Sequence, residues 1–276
     1  KALKVLFFTE MWERMSYYGM RGILVLFMTA SIQDGGLDFS NSSASAIYGI
    51  YAAAVYLATL PGGWIADNIY GQQNTVLYGG VIIMLGHLIL AIPDMSLFYC
   101  GLTLVVIGTG LLKPNISALV GGLYESKTEM RESGFTIFYM SINLGSILGF
   151  FICGYLGENI GWHYGFGAAG IGMLLGVIQY KLNMRALGST GSTPSNIINL
   201  NSKIKYKKLI LVFVLLTLLI LISGFMGFWS IDPIPLANFV TIFIASVSLA
   251  FFFYIYFLGN LNKDEKKKVV MIFILF

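Results

Sequence analysis

The sequence predicts an all-α membrane protein, and three observations carry that prediction. Charged side chains make up 11% of the 276 residues, against about 25% in a typical soluble domain, and the mean hydropathy is +0.79. Apolar stretches of about 20 residues, the length that crosses a bilayer, recur along the chain. Lysines and arginines collect on one side of the path those stretches trace. Together these exclude an ordinary soluble enzyme, a disordered protein and a nucleic-acid-binding domain.

The expected spans are 6–29, 44–66, 75–92, 97–123, 134–156, 163–183, 207–230 and 236–258, and a ninth begins at Val269. Each is longer than a buried strand requires, and each is apolar all round, as suits a helix in lipid. Weaving the chain up and down puts 14 of the 17 cations on one side: Lys1, Lys4, Lys127, Arg131, Lys181, Arg185, Lys203, Lys205, Lys207, Lys208, Lys263, Lys266, Lys267 and Lys268. The opposite loops hold Asp34, Asp38, Asp94, Glu158 and Asp232 and no cation. The N-terminus is therefore expected in the cytoplasm, and the net charge of +4 reads as a topology signal rather than a nucleic-acid surface. Nothing before the first span resembles a cleaved signal peptide.

Residues 1–185 read as a six-helix bundle. Residues 186–204 read as a cytoplasmic linker, flexible from its Gly, Ser, Thr and Asn content. Residues 205–260 read as an inserted transmembrane hairpin whose turn lies around SIDPIP, with Pro233 and Pro235 breaking the helices. Residues 261–276 begin a further helix. The 32 glycines exceed the usual share, and pairs such as Gly145 with Gly149 and Gly172 with Gly176 are spaced for close helix packing. Cys100 and Cys153 read as small core residues rather than a disulfide.

Ionisable groups inside hydrocarbon are costly and point to function. The first span carries Glu10, Glu13, Arg14 and Arg21, which with Tyr17 fall in one arc of about 100°; Tyr18 lies at its edge. The opposite face carries Met11, Met15, Ile23 and Leu26. Glu10 and Arg14 are four apart and can pair. Burial favours a neutral acid and a nearby cation favours a charged one, so loss of a partner or arrival of a competing anion shifts such a cluster towards protonation. That is the physics of a proton-coupled ligand site; a structural salt bridge locking the bundle is the alternative.

Lys113, before Pro114 in span four, lies too far from either end to snorkel and must meet an acid or an anionic ligand, or lose its proton. Tyr139 and Asn143 share a face of span five and can serve as ligand contacts or as interhelical glue. Tyr48, Tyr51 and Tyr56 in span two stand equally between contact and packing. Asp67 can cap the next helix or pair across a helix gap. His87 and His163 have no partners at metal-ligand spacing, so no metal is expected. GTGLLK at 108–113 imitates a phosphate-binding loop but sits inside a span, and Asn115 begins a glycosylation sequon at membrane depth; neither is read as functional.

The segment FFTEMWERMSYYGMRGIL contains Glu10-Met11-Trp12-Glu13-Arg14, an E-x-x-E-R pattern that resembles the proton-dependent oligopeptide transporters (POT/PTR) of the major facilitator superfamily. GTGLLKPNISALVGGLY in span four and GFTIFYMSINLGSILG in span five extend the resemblance, as do six helices followed by a two-helix insertion. It covers essentially the whole chain. The resemblance implies a six-helix N-terminal bundle, the inserted hairpin and the start of the seventh core helix. It implies that Glu10, Glu13, Arg14 and Lys113 couple protons, and that Tyr18, Arg21, Tyr56, Lys113, Tyr139 and Asn143 line a peptide cavity. It also implies a C-terminal six-helix half carrying further acids, so the chain reads as little more than half of a transporter. Two departures stand out. Asn68, Gln72 and Gln73 replace the basic residues many superfamily members carry between spans two and three. Gly49 occupies the place where animal peptide transporters carry a histidine, leaving carboxylates to move the proton.

The expected function is proton-coupled import of di- and tripeptides by alternating access across a bacterial inner membrane, with lipid, peptide and protons as partners and no cofactor. A same-fold carrier of nitrate or another small anion is the alternative. An integral-membrane enzyme would need a nucleophile–base pair or a metal cluster, neither visible at suitable spacing; a purely structural subunit is disfavoured by the buried charges.

Overall fold

The computed structural model describes residues 1–276 apart from 126–127, 197–198, 226–231, 260 and 276. Lys127, expected at the cytoplasmic end of span four, and the start of the turn expected at SIDPIP lie outside the described residues. Every regular element among the described residues is helical: α1 (Ala2–Thr29), α2 (Asn41–Ile65), α3 (Gln72–Leu90), α4 (Met95–Leu123), α5 (Thr128–Asn159), α6 (Trp162–Asn183), α7 (Leu200–Phe225), α8 (Pro233–Leu258) and α9 (Lys263–Leu275). Seven of them, α2 to α8, are long and apolar enough to cross a membrane. α1 carries too many charges to qualify by composition, yet its 28 residues reach about 42 Å at 1.5 Å per residue, and its charged face is buried in protein.

Contacts divide the chain into residues 1–230 and 231–276. In the first unit α1 is the central helix, lying along α5 and α6; α3 lies along α4 and α6, and α2 along α4. Most of both faces of α1 is consequently covered: Met11, Met15 and Ile23 are nearly as buried as the acids across from them, while Phe8 and Leu26 are exposed. Glycine makes this approach possible. A Cβ on Gly145 would strike the Met11 carbonyl and come 2.8 Å from the Arg14 Cβ, and one on Gly149 would strike the Met15 carbonyl. On α6, one on Gly176 would come 2.9 Å from the Trp12 Cβ. Gly108 and Gly110, the false phosphate loop, instead face Ile83 of α3 and Ala58 of α2. Asn115 is buried and donates to the carbonyls of Gly62 (3.2 Å) and Leu111 (2.7 Å), tying α4 to α2 near Pro61 and Pro114.

The linker expected to be flexible is pinned. The Gln73 backbone N–H donates to the Gly191 carbonyl (2.9 Å), and its side chain donates to the carbonyls of Gly188 (3.0 Å) and Thr190 (2.8 Å). Asn196 donates through its backbone to the Asp67 carbonyl (2.9 Å) and through its side chain to Asn68 Oδ1 (3.1 Å). Asp67 therefore holds the linker and does not cap α3, whose N-cap is Gly71 at a positive φ of 77°. A Cβ on Gly71 would crowd the carbonyls of Gly191 and Ser192. α7 leaves the linker and meets the C-terminal end of α2, where Tyr206 packs edge-on against Trp64 (4.9 Å). In the second unit α8 starts at Asp232, whose carboxylate accepts from the Ile234 backbone N–H (3.0 Å), and α8 packs against α9.

Candidate functional site

α1 presents its charged arc inside the first unit. Glu10, Glu13 and Arg14 are almost wholly inaccessible, Glu13 at 0%. The Arg14 Nε lies 3.1 Å from Glu10 Oε1 and also pairs with the neighbouring Glu13 carboxylate. One guanidinium therefore serves two acids, leaving a formal charge of −1 in the trio. The side-chain bonding is incomplete: Glu10 Oε2, Glu13 Oε1 and Arg14 Nη2 are buried without a hydrogen-bond partner among the described residues. Buried polar atoms are normally satisfied, and an unpartnered one costs about 1–3 kcal/mol, more when charged. A carboxylate that takes up a proton loses its charge and becomes a donor.

Aromatic rings carry the site outward from the trio. The Arg14 guanidinium lies over the rings of Tyr17 (5.0 Å) and Tyr18 (5.8 Å). Arg21, about two helical turns further along α1, lies over Tyr17 (5.4 Å) and Tyr48 (5.0 Å), and its Nε donates to the Tyr48 hydroxyl (2.8 Å). Tyr17 stacks on Tyr51 of α2 at 6.4 Å. Cations over ring faces are held by the ring quadrupole, so Tyr17 bridges the two arginines. The Tyr51 hydroxyl is buried with no partner among the described residues.

The residues expected at a ligand surface separate into two groups. Tyr18, Arg21 and Lys113 are half-buried. The Lys113 ammonium sits 4.9 Å from the centroid of Tyr56 and contributes to the field at Glu10, but makes no ion pair among the described residues. Tyr56 is 61% and Tyr139 59% exposed, and Asn143 is exposed on α5 beside it. Tyr139 packs against Phe135 and Phe138, and no hydrogen bond or ring contact among the described residues ties it or Asn143 to α1. Tyr48 emerges as a direct partner of Arg21. The spacing of Tyr48 and Tyr51, three apart on one face of α2, was visible, but which helix that face meets was not. No group of three metal-ligating side chains converges among the described residues.

The first unit is thus a bundle of helices of membrane-spanning length whose central helix hides acids and a cation, with further cations and tyrosines nearer its surface. The sequence model of the POT family (PTR2) matches residues 73–276, a stretch that begins beyond the α1 cluster, and the chain belongs to that family, a branch of the major facilitator superfamily. It is 50% identical over 206 residues to the uncharacterized transporter YclF of Bacillus subtilis, covering 74% of this chain and 42% of that protein. It is 37% identical to a di-/tripeptide transporter of Lactococcus lactis subsp. cremoris, covering 98% of this chain and 55% of that one. The crystal structure of the peptide transporter POT in complex with sulfate superposes with a TM-score of 0.85 at 37% identity, over 98% of this chain and 55% of the other. The chain spans about half the length of the curated relatives it matches.

Proposed function

We propose that this chain forms the N-terminal half of a proton-coupled symporter that imports di- and tripeptides by alternating access. The observation that carries the reading is the buried Glu10–Glu13–Arg14 trio, with an unpartnered atom on each member. Arg21 and Lys113, neither paired with an acid among the described residues, are placed to receive a peptide carboxylate, with Tyr18, Tyr56, Tyr139 and Asn143 offering polar contacts around it. From outside, a proton neutralises Glu10 or Glu13 and peptide occupies the two cations. The halves rock, the proton leaves inside, and the freed carboxylate draws Arg14 or Lys113 back, weakening the hold on peptide. The electrical component of the drive is about 2.3 kcal/mol per charge for each 100 mV. The cation distribution supports a cytoplasmic N-terminus in a bacterial inner membrane. In this scheme residues 1–185 are the transport bundle, residues 205–260 an inserted hairpin and residues 261–276 the start of the other half, which supplies the remaining cavity wall. Protons are the coupling ion, and no catalytic chemistry is assigned.

In proteoliposomes of the full-length protein, dialanine accumulation should require an inward proton gradient. Glu13→Gln and Lys113→Ala should each abolish gradient-driven accumulation. Concentrative uptake at the wild-type level by both variants would overturn the mechanism. The half-buried Arg21 and Lys113 also fit a small anion such as nitrate. Failure of dipeptides to compete against labelled nitrate would favour that substrate instead.

A further inference from the structure

The second unit holds a cavity of about 560 Å³ at the corner between α8 and α9, lined by Tyr256, Lys263, Lys266, Lys267, Val270 and Met271. The Lys266 ammonium lies 5.3 Å from the centroid of Tyr256. None of the three lysines makes an ion pair among the described residues. Neither acid of the same helical turn lines the space. Glu265 turns its carboxylate back to accept the Asn262 backbone N–H (2.9 Å), and helical spacing puts it on the far side of α9 from Lys263 and Lys267. A second cavity of about 180 Å³ shares Tyr256 and Val270 with the first and is walled by apolar groups that include Phe252, Phe253 and Phe273. A basic pocket thus adjoins an apolar slot across Tyr256 and Val270. A soluble anion has no use for the slot, and an uncharged lipid has none for the lysines. The cation pattern puts this corner at the cytoplasmic side, where anionic lipids concentrate and attract basic groups near the surface.

We propose that the α8–α9 corner binds an anionic phospholipid, with its phosphate among Lys263, Lys266 and Lys267 and an acyl chain along the slot beside Val270. This is independent of what the transporter carries. The intact protein in detergent is equilibrated with phosphatidylglycerol or with phosphatidylcholine of the same chains, and the lipid retained after gel filtration is measured. Phosphatidylglycerol should be retained preferentially. The triple variant K263Q/K266Q/K267Q should weaken its retention on the order of 100-fold, from three lysines near a lipid surface. Val270→Trp, which fills the slot and leaves the charges, should also weaken it, and it decides the matter if the triple variant fails to fold. K203Q/K205Q, in the other basic segment, should change nothing. Retention unaffected by the triple variant or by Val270→Trp, equal retention of phosphatidylcholine, or displacement by inorganic phosphate would each overturn the proposal.

Discussion

Arg14 is the residue on which the buried trio depends. It neutralises one of two acids and touches both, so its removal leaves two carboxylates in the core without a cation. Breaking a buried pair by deleting one partner typically costs about 3–5 kcal/mol. Arg14→Ala should therefore lower the thermal midpoint of the purified protein clearly. Adding Glu10→Gln should recover part of the loss, because one buried charge is then removed with its partner. Thermal unfolding of the single and double variants measures this, and a double variant no more stable than Arg14→Ala would mean that Glu10 carries no charge once Arg14 is gone. The members of the trio were legible in the sequence: four charges in one apolar span must share a face and must meet protein. The division of one guanidinium between two acids was not, because helical spacing alone favoured the Glu10–Arg14 pair and is silent on rotamers. Tyr48 teaches the same lesson from the other direction. Its hydroxyl meets Arg21 only because α2 crosses α1 at that height, and no spacing within α2 encodes the crossing.

At the scale of elements, glycine sets how near helices come. On α5 two glycines offer opposite cases. A side chain at Gly149 would run into the backbone of α1 at Met15 and Gly19, whereas Gly154 has open space where its Cβ would lie. Gly149→Leu should destabilise the bundle by about 1–3 kcal/mol or more, the usual cost of overpacking, while Gly154→Leu should leave the thermal midpoint nearly unchanged. Equal midpoints for the two variants would contradict the α1–α5 packing described above. Most helix limits were legible to within four residues from the apolar runs, since a bilayer forces each run to satisfy its backbone internally, but α5, α7 and α9 begin six or seven residues earlier, in polar segments. The linker misled in an informative way. Its Gly, Ser and Asn content reads as flexible, and the neutral Asn68 and Gln73 read as a lost charge network. In the fold these features are one device, since small residues let the linker's backbone lie close enough for those amides to hold it.

At the scale of the whole molecule, the first unit presents Tyr56, Tyr139 and Asn143 on open surface, which the proposed function reads as a cavity wall that a second half completes. A chain ending at Phe276, expressed alone and reconstituted, should give no concentrative dipeptide uptake, whereas the full-length protein should; accumulation by the shorter chain would show that one half suffices. The sequence by itself determined the helical class, the approximate position of the long apolar helices and the presence of an ionic cluster in α1, because hydrophobic length and charge placement act locally along the chain. Only the tertiary structure decided that α1 is largely enclosed on both faces, that Arg21 is held by Tyr48, that Asp67 serves the linker instead of capping α3, and that three lysines share a cavity with Tyr256. Each of these depends on which helices meet and at what height, and that is set by packing between segments distant in sequence.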